Sequence, residues 1–373
     1  MSDRPRTPDR LSAVGAGGLL AVLAGAGAVA QRGHMRRIAA DPEHCLLSAP
    51  PLGRPLSACS RDGTRLHVEC FGPDEGPTIV LAHGWTESLS YWIYVTRELS
   101  HKGFRVVAYD LRGHGRSERA TAGDYSLTRF GEDIEAVLGG CVPEGQRAVL
   151  AGHSLGAMSI AAWAEHHEVQ ARISAAALLN TGVGDLIAEQ LLYPVPRIAR
   201  AMSQAIAVRG FLGARTTLSQ VSTPISHAII RYVAFGPSAS PAQVAFYERM
   251  LVTCLPDVRA AVGLAMSVMD LHDAVPRLTV PTLVMAGCKD RLTPASHARL
   301  IAQVLPVPAG LVELPETGHM GPLERPLEIS QALAALADGV AQGAEDEGAA
   351  RAARAARAVG TVGAVPGTSA VGV

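Results

Sequence analysis

Hydrophobic positions in the middle of the chain fall in short unbroken runs set apart by turn residues, at residues 66–71, 78–82, 105–109, 147–151, 175–180, 281–286 and 311–314. Most of these runs show no polar alternation, which is the habit of strands covered on both faces of a parallel sheet. The turn signal Arg61-Asp62-Gly63-Thr64 just ahead of the 66–71 run predicts an antiparallel hairpin at the sheet edge. Helical spacing occupies residues 88–101, 127–138, 155–166 and 327–340 between or after the runs. Strand and helix alternate, so the pattern predicts an α/β fold with a mostly parallel central sheet flanked by helices. Residues 182–271 break that rhythm. They are too many for a loop and are divided by Pro194, Pro196, Pro224, Pro237, Pro241 and Pro256, which predicts a helical cap inserted late in the sheet. Such a cap would lie over the carboxyl edge of the strands, where open α/β sheets bind ligands.

The two ends of the chain read differently from its middle. Leu11 to Ala30 is a run of twenty residues without charge, flanked by Arg4, Arg6 and Arg10 on one side and Arg32, Arg36 and Arg37 on the other. It is long enough to span a bilayer, although Ala and Gly dominate it. The small residues Ala28-Val29-Ala30 fit an export cleavage site, so residues 1–30 read as a signal peptide or a membrane anchor. Export or anchoring is the expectation; a plain flexible leader on a cytoplasmic protein is the alternative. Residues 31–54, rich in Pro, Arg and Ala, read as a linker. Residues 343–373 lack spaced large apolar side chains and read as a disordered Ala/Gly/Arg-rich tail. The folded unit is then residues 55–342.

Composition removes several function classes. The 33 basic and 34 acidic side chains nearly cancel, leaving no electrostatic reason to expect nucleic acid as a partner. Six cysteines in 373 residues are too sparse for a disulfide scaffold. Cys59 and Cys70 fall in neighbouring edge strands, either facing each other or as two free thiols. No C-x-x-C or H-E-x-x-H pair offers a zinc signature, and neither metal nor cofactor is expected.

The chemistry concentrates at the ends of the strands. Gly152-His153-Ser154-Leu155-Gly156 follows the 147–151 run and opens a helix. Glycines on both sides allow a sharp turn that lifts the Ser154 hydroxyl into the open at a helix amino terminus. A serine hydroxyl is a weak nucleophile and needs a base oriented by an acid. His319, in the loop beyond the 311–314 run, stands where such a base belongs, whereas His272 and His297 lie in helical surroundings. Asp290 ends the 281–286 run, 29 residues before His319; Asp185, after the 175–180 run, is the rival acid with a less clean strand and turn context. His83-Gly84-Trp85 follows the 78–82 run, so the backbone N–H groups of Trp85 and Leu155 are the candidate pair for holding an oxyanion. The His83 side chain is expected to brace that loop by hydrogen bonding. Leu191, Leu192, Ile198, Met202, Ile206, Phe211, Leu212, Phe246, Met250 and Met266 of the cap are candidates for an acyl pocket or, more simply, for the cap's own core.

Together with Asp110-Leu111-Arg112-Gly113-His114-Gly115-Arg116-Ser117, these motifs resemble the α/β-hydrolase fold superfamily over residues 55–342. Within it they are most similar to serine esterases, lipases and cofactor-free haloperoxidases. The resemblance implies Ser154 as nucleophile, His319 as base, Asp290 as its orienter, Trp85 and Leu155 as oxyanion donors, and a structural role for the loop from Asp110 to Ser117. It implies hydrolysis of a small-molecule ester through an acyl-enzyme, with perhydrolysis by the same triad as the alternative, and capture of a ligand without turnover as a third. A membrane-inserted N-terminal segment would favour lipidic substrates.

Overall fold

The computed structural model describes residues 10–184 and 214–360, with side chains described over 25–184 and 214–343. Eight strands form one sheet: β1 (Arg54–Cys59), β2 (Arg65–Phe71), β3 (Thr78–Ala82), β4 (Arg105–Tyr109), β5 (Ala148–His153), β6 (Ile173–Leu179), β7 (Thr282–Gly287) and β8 (Pro308–Leu314), in the order β1-β2-β4-β3-β5-β6-β7-β8. The β1–β2 and β2–β4 pairings are antiparallel and the others parallel, which places the expected hairpin at one edge. Its register sets Cys59 opposite Arg65 and Cys70 opposite Arg54, at opposite ends of the ladder, so the two thiols do not face each other and both are free.

Alternate residues of the central strands feed two cores. Val80 and Val107 point to one face and Ile79, Leu81 and Val106 to the other. On the first face pack α4 (Leu127–Cys141), through Phe130, Ile134 and Val137, and α5 (Leu155–His166), through Met158 and Trp163. On the second lie α3 (Ile93–His101), through Val95 and Leu99, and α12 (Pro326–Gly360), through Ile329 and Leu333. Four short or peripheral helices complete the frame: α1 (Arg10–Ala39), α2 (His44–Ser48), α6 (Val169–Arg172) and α10 (Ala295–Val304), with α11 (Gly321–Glu324) ahead of α12.

Between β6 and β7 the cap contributes α7 (Pro224–Ala234), α8 (Pro241–Thr253) and α9 (Pro256–Ser267). Pro224, Pro241 and Pro256 are the first residues of these helices, where a missing N–H costs nothing, while Pro237 lies in the turn between α7 and α8 and Pro194 and Pro196 lie outside the described residues. Thr223 and Ser240 each close a capping box ahead of them. Phe246, Met250 and Met266 are buried in the hydrophobic clusters, as cap core. Leu191, Leu192, Ile198, Met202, Ile206, Phe211 and Leu212 lie outside the described residues, as does Asp185.

Two boundary expectations change. The stretch 31–54 is not a loose linker: it holds the end of α1 and all of α2, with Ile38 and Leu47 buried. Arg249 donates to the Leu47 carbonyl at 2.6 Å, Ser240 Oγ to Glu43 at 2.9 Å and Ala242 N–H to Asp41 at 3.1 Å. These partners lie about two hundred residues away in the chain, where local composition carries no sign of them. At the other end, helix continues past Gln342 as far as Gly360, in place of disorder over those residues, and the rest of the expected tail, 361–373, lies outside the described residues. The Ala- and Arg-rich sequence there lacks large apolar groups but is built from strong helix formers. Among the described residues no single helix is long and apolar enough to cross a membrane.

Candidate active site

Ser154 sits between the end of β5 and the first residue of α5 with φ 50° and ψ −113°, a backbone conformation that side chains rarely adopt. Three ties hold it: its N–H donates to the Leu179 carbonyl at 2.9 Å, and its own carbonyl accepts from Met158 N–H and Thr181 Oγ1, each at 3.0 Å. The glycine two residues on is obligatory, because a β-carbon at Gly156 would collide with the Ala82 carbonyl oxygen of β3. Leu155 begins α5, so its N–H has no acceptor within the helix and lies at the positive end of the helix dipole.

Asp290 and His319, predicted from loops after different strands, meet here. Asp290 Oδ2 accepts from His319 Nδ1 at 2.8 Å, and both side chains are buried. The same oxygen accepts from Thr293 Oγ1 at 2.8 Å and Asn180 Nδ2 at 3.0 Å, while Oδ1 accepts from the N–H groups of Leu292 and Thr293. Burial alone would raise the Asp290 carboxyl, but the His319 charge and these donors outweigh it and hold it below the usual carboxylate value. For His319, burial disfavours the imidazolium, yet the Asp290 charge and hydrogen bond more than offset this and raise it above an ordinary histidine. With Nδ1–H committed to Asp290, Nε2 is the basic nitrogen. The main chain of His319 is fixed by its N–H, which donates to the Ala234 carbonyl at the end of α7 at 2.7 Å.

The loop after β3 carries the other candidate group. His83 is fully buried; its Nδ1–H donates to the Gly84 carbonyl at 2.8 Å and its Nε2 accepts from Leu111 N–H at 3.0 Å, so it braces the loop as expected. Burial, with His114 alongside, holds it far below an ordinary histidine and keeps it neutral. Gly84 N–H is committed to Glu87 at 2.5 Å. Trp85 N–H takes no partner among the described residues, and its indole is anchored by an Nε1–H bond to the Arg259 carbonyl of α9 at 3.1 Å. Thr86, next in line, has φ 64°. The loop from Asp110 to Ser117 is structural: the Asp110 carboxylate accepts from Leu89 and Arg116 N–H, and Arg112 is clamped by Asp133 and Asp62.

His272 stands exposed against Asp270, and His297 is buried on α10. Three residues of the site escaped sequence reasoning. His153 and Glu87 pair at 3.1 Å behind the site, and Asn180, the residue after β6, has φ 46° and donates to Asp290 and to the Gly318 carbonyl. Each had a faint signal: a histidine inside the G-x-S-x-G turn, an acid three residues after Gly84, and a polar residue closing an apolar strand.

An eight-stranded, mostly parallel sheet with a strand-to-helix serine and a buried His–Asp pair at its carboxyl edge defines an α/β hydrolase. The chain belongs to the alpha/beta hydrolase family, whose sequence profile matches residues 79–332. It is similar to a monoacylglycerol lipase of Mycolicibacterium smegmatis, with 28% identity over 250 residues covering 64% of this chain and 80% of that one. It is also similar to a non-heme chloroperoxidase of Streptomyces lividans, with 25% identity over 237 residues covering 64% and 83%. Among solved structures, a hydrolase from Pseudomonas aeruginosa superposes with a TM-score of 0.61 at 29% identity, covering 76% of this chain and 98% of that one.

Proposed function

We propose that the protein hydrolyses carboxylic esters through a Ser154-His319-Asp290 triad. The observation that carries this reading is the Asp290–His319 pair at 2.8 Å, beside a serine held at φ 50° on the head of a helix. In this mechanism His319 Nε2 takes the Ser154 proton as Oγ attacks the ester carbonyl carbon. The backbone N–H groups of Trp85 and Leu155 hold the resulting oxyanion, and the alkoxide leaves with the proton from His319. A water, deprotonated by the same nitrogen, then releases the acid from the acyl-enzyme. The commitment of Gly84 N–H to Glu87 supports Trp85 as the donor from this loop.

The likeness to a non-heme chloroperoxidase favours one second reading, perhydrolysis of a carboxylic acid by peroxide with the same residues. A panel of esters of graded acyl length, run beside a peroxide-dependent halogenation assay and a Ser154→Ala control, tests both. Full ester hydrolysis by Ser154→Ala would sink the triad assignment. We further propose that the uncharged run 11–30 places the enzyme outside the cytoplasm or at a membrane, which fractionation with and without residues 1–40 tests.

A further inference from the structure

The outward face of α7 is apolar along its whole length. Pro224, Ile225, Ala228, Ile229 and Tyr232 recur at helical spacing, Val221 precedes them in the bend before the helix, and all six are exposed, Ile225 by 73%, Ile229 by 58%, Tyr232 by 56% and Val221 by 59%. An unbroken stripe of this kind on a soluble surface marks a site of association. The opposite side of α7 is occupied. Ser222, just before it, binds Gln31 at 2.6 Å and His34 at 3.0 Å of α1, the rings of His34 and His227 stack edge-on at 4.8 Å, and Arg231 donates to the Ala239 carbonyl.

Two neighbouring features identify what covers the stripe. First, α1, which packs along α7, carries the twenty-residue uncharged run within the same helix. Second, the exposed charge on α1 and on the segment that carries the stripe has one sign, while the Glu248 carboxylate, which accepts from Ser222, is buried. Residues 10–40 and 214–235 contain no acidic side chain, while Arg32, Arg36, Arg37 and Arg215 are exposed and Arg291 lies over the Tyr232 ring at 4.4 Å. A second copy docking through this face about a two-fold axis would bring these arginines together, so self-association is disfavoured. An apolar stripe with a cationic rim matches an anionic lipid surface.

We propose that the outer face of α7, with the uncharged part of α1, docks on an anionic phospholipid bilayer and delivers the active site to it. The inference deepens the membrane-located ester hydrolase read above. The delivery follows from where α7 ends: its last residue, Ala234, accepts the His319 N–H, and Tyr232 accepts from Arg291, which adjoins Asp290. The helix that carries the stripe therefore ends against the Asp290–His319 pair, and the substrates it favours are esters presented at a lipid surface.

The test is flotation of the full chain with vesicles of phosphatidylcholine alone and of phosphatidylcholine mixed with phosphatidylglycerol, comparing wild type with Val221→Ser/Ile225→Ser/Ile229→Ser. Wild type should float with the anionic vesicles, less so as salt rises, and the triple variant should lose at least about tenfold in partitioning with an unchanged melting curve. Ser154→Ala should float like wild type, so the loss of ester chemistry and the loss of docking are read separately. Equal flotation of the triple variant would overturn the proposal, because α1 alone would then suffice. So would a wild type that stays with the soluble fraction, or a concentration-dependent dimer that the triple variant abolishes.

Discussion

His153 bridges Glu87 and the main chain of His319 behind the proposed base. His153 Nε2 lies 2.9 Å from the His319 carbonyl oxygen, which can only accept, so this nitrogen carries a hydrogen. Nδ1 faces the Glu87 carboxylate at 3.1 Å. The pair ties three segments together: the loop of Trp85 through Gly84 N–H, the β5 terminus through His153, and the His319 main chain. The His153 ring also packs against the His319 ring at 4.9 Å.

Two substitutions at Glu87 should therefore behave differently. Gln retains an oxygen for Gly84 N–H and an amide group facing His153 Nδ1, and should cost at most about 1 kcal/mol. Leu leaves both partners buried and unpaired and should cost about 2–4 kcal/mol, with turnover reduced at least about tenfold as the oxyanion loop and base lose register. Melting curves and kcat on a soluble ester check this; equal effects from the two variants would remove the hydrogen-bonding argument.

The activity profile should have a high acid limb. His319 must be neutral to accept the Ser154 proton, and Asp290 raises it above 6.5, so kcat/KM should fall as pH drops through a point above that value. Asp290→Asn removes the largest raising influence and should move the limb to lower pH while reducing the maximum. Stability runs by its own rule. His319, raised in the fold, contributes fully below 6.5 and loses its contribution as pH rises through its raised value. Asp290, lowered in the fold, contributes above 3.8 and loses its contribution as pH falls through its lowered value. Their joint contribution is greatest between those two pH values, and Asp290→Asn should flatten the stability curve there.

Ser154 stores backbone strain at φ 50°. Ser154→Ala should abolish turnover by about four or more powers of ten and leave the strain in place. Ser154→Gly should be equally inactive but more stable, by about 1 kcal/mol, because glycine adopts this conformation freely. Calorimetry of the two inactive proteins makes the comparison; a glycine variant less stable than the alanine one would contradict it.

Asn180 directly follows the strand preceding the cap and points its amide at Asp290, 3.0 Å away. Asn180→Asp would replace a donor by a second carboxylate against the first and should lower kcat about tenfold or more, with an acid limb displaced from that of wild type. A limb displaced toward higher pH, as a second negative charge near His319 raises it further, would mark the effect as electrostatic.

Most of the sheet was legible because its strands are buried on both faces, and burial of that kind leaves continuous apolar runs such as Ile79 to Ala82. Ser154, Asp290 and His319 were legible because each lies just beyond such a run, in a turn whose residue types have a mechanical cause. What stayed hidden depends on contacts between distant segments. Glu87 gains its meaning only when His153 arrives from sixty-six positions away, and α2 is held by side chains of α8. The reach of α12 was missed for another reason: helix propensity was at work where only burial had been weighed.

The seam within α1 bears on how the mature enzyme is made. Residues 25–30 are all exposed, and the hydrogen bonds to the cap begin at Gln31. The small-residue motif Ala28-Val29-Ala30 ends at that same border. A protease cutting there would free a folded body that keeps every contact drawn above between Gln31 or His34 and the cap. The helix thus joins a stretch the body can shed to one it cannot. We propose that this leader sets where the hydrolase resides without entering the architecture that holds Ser154, Asp290 and His319.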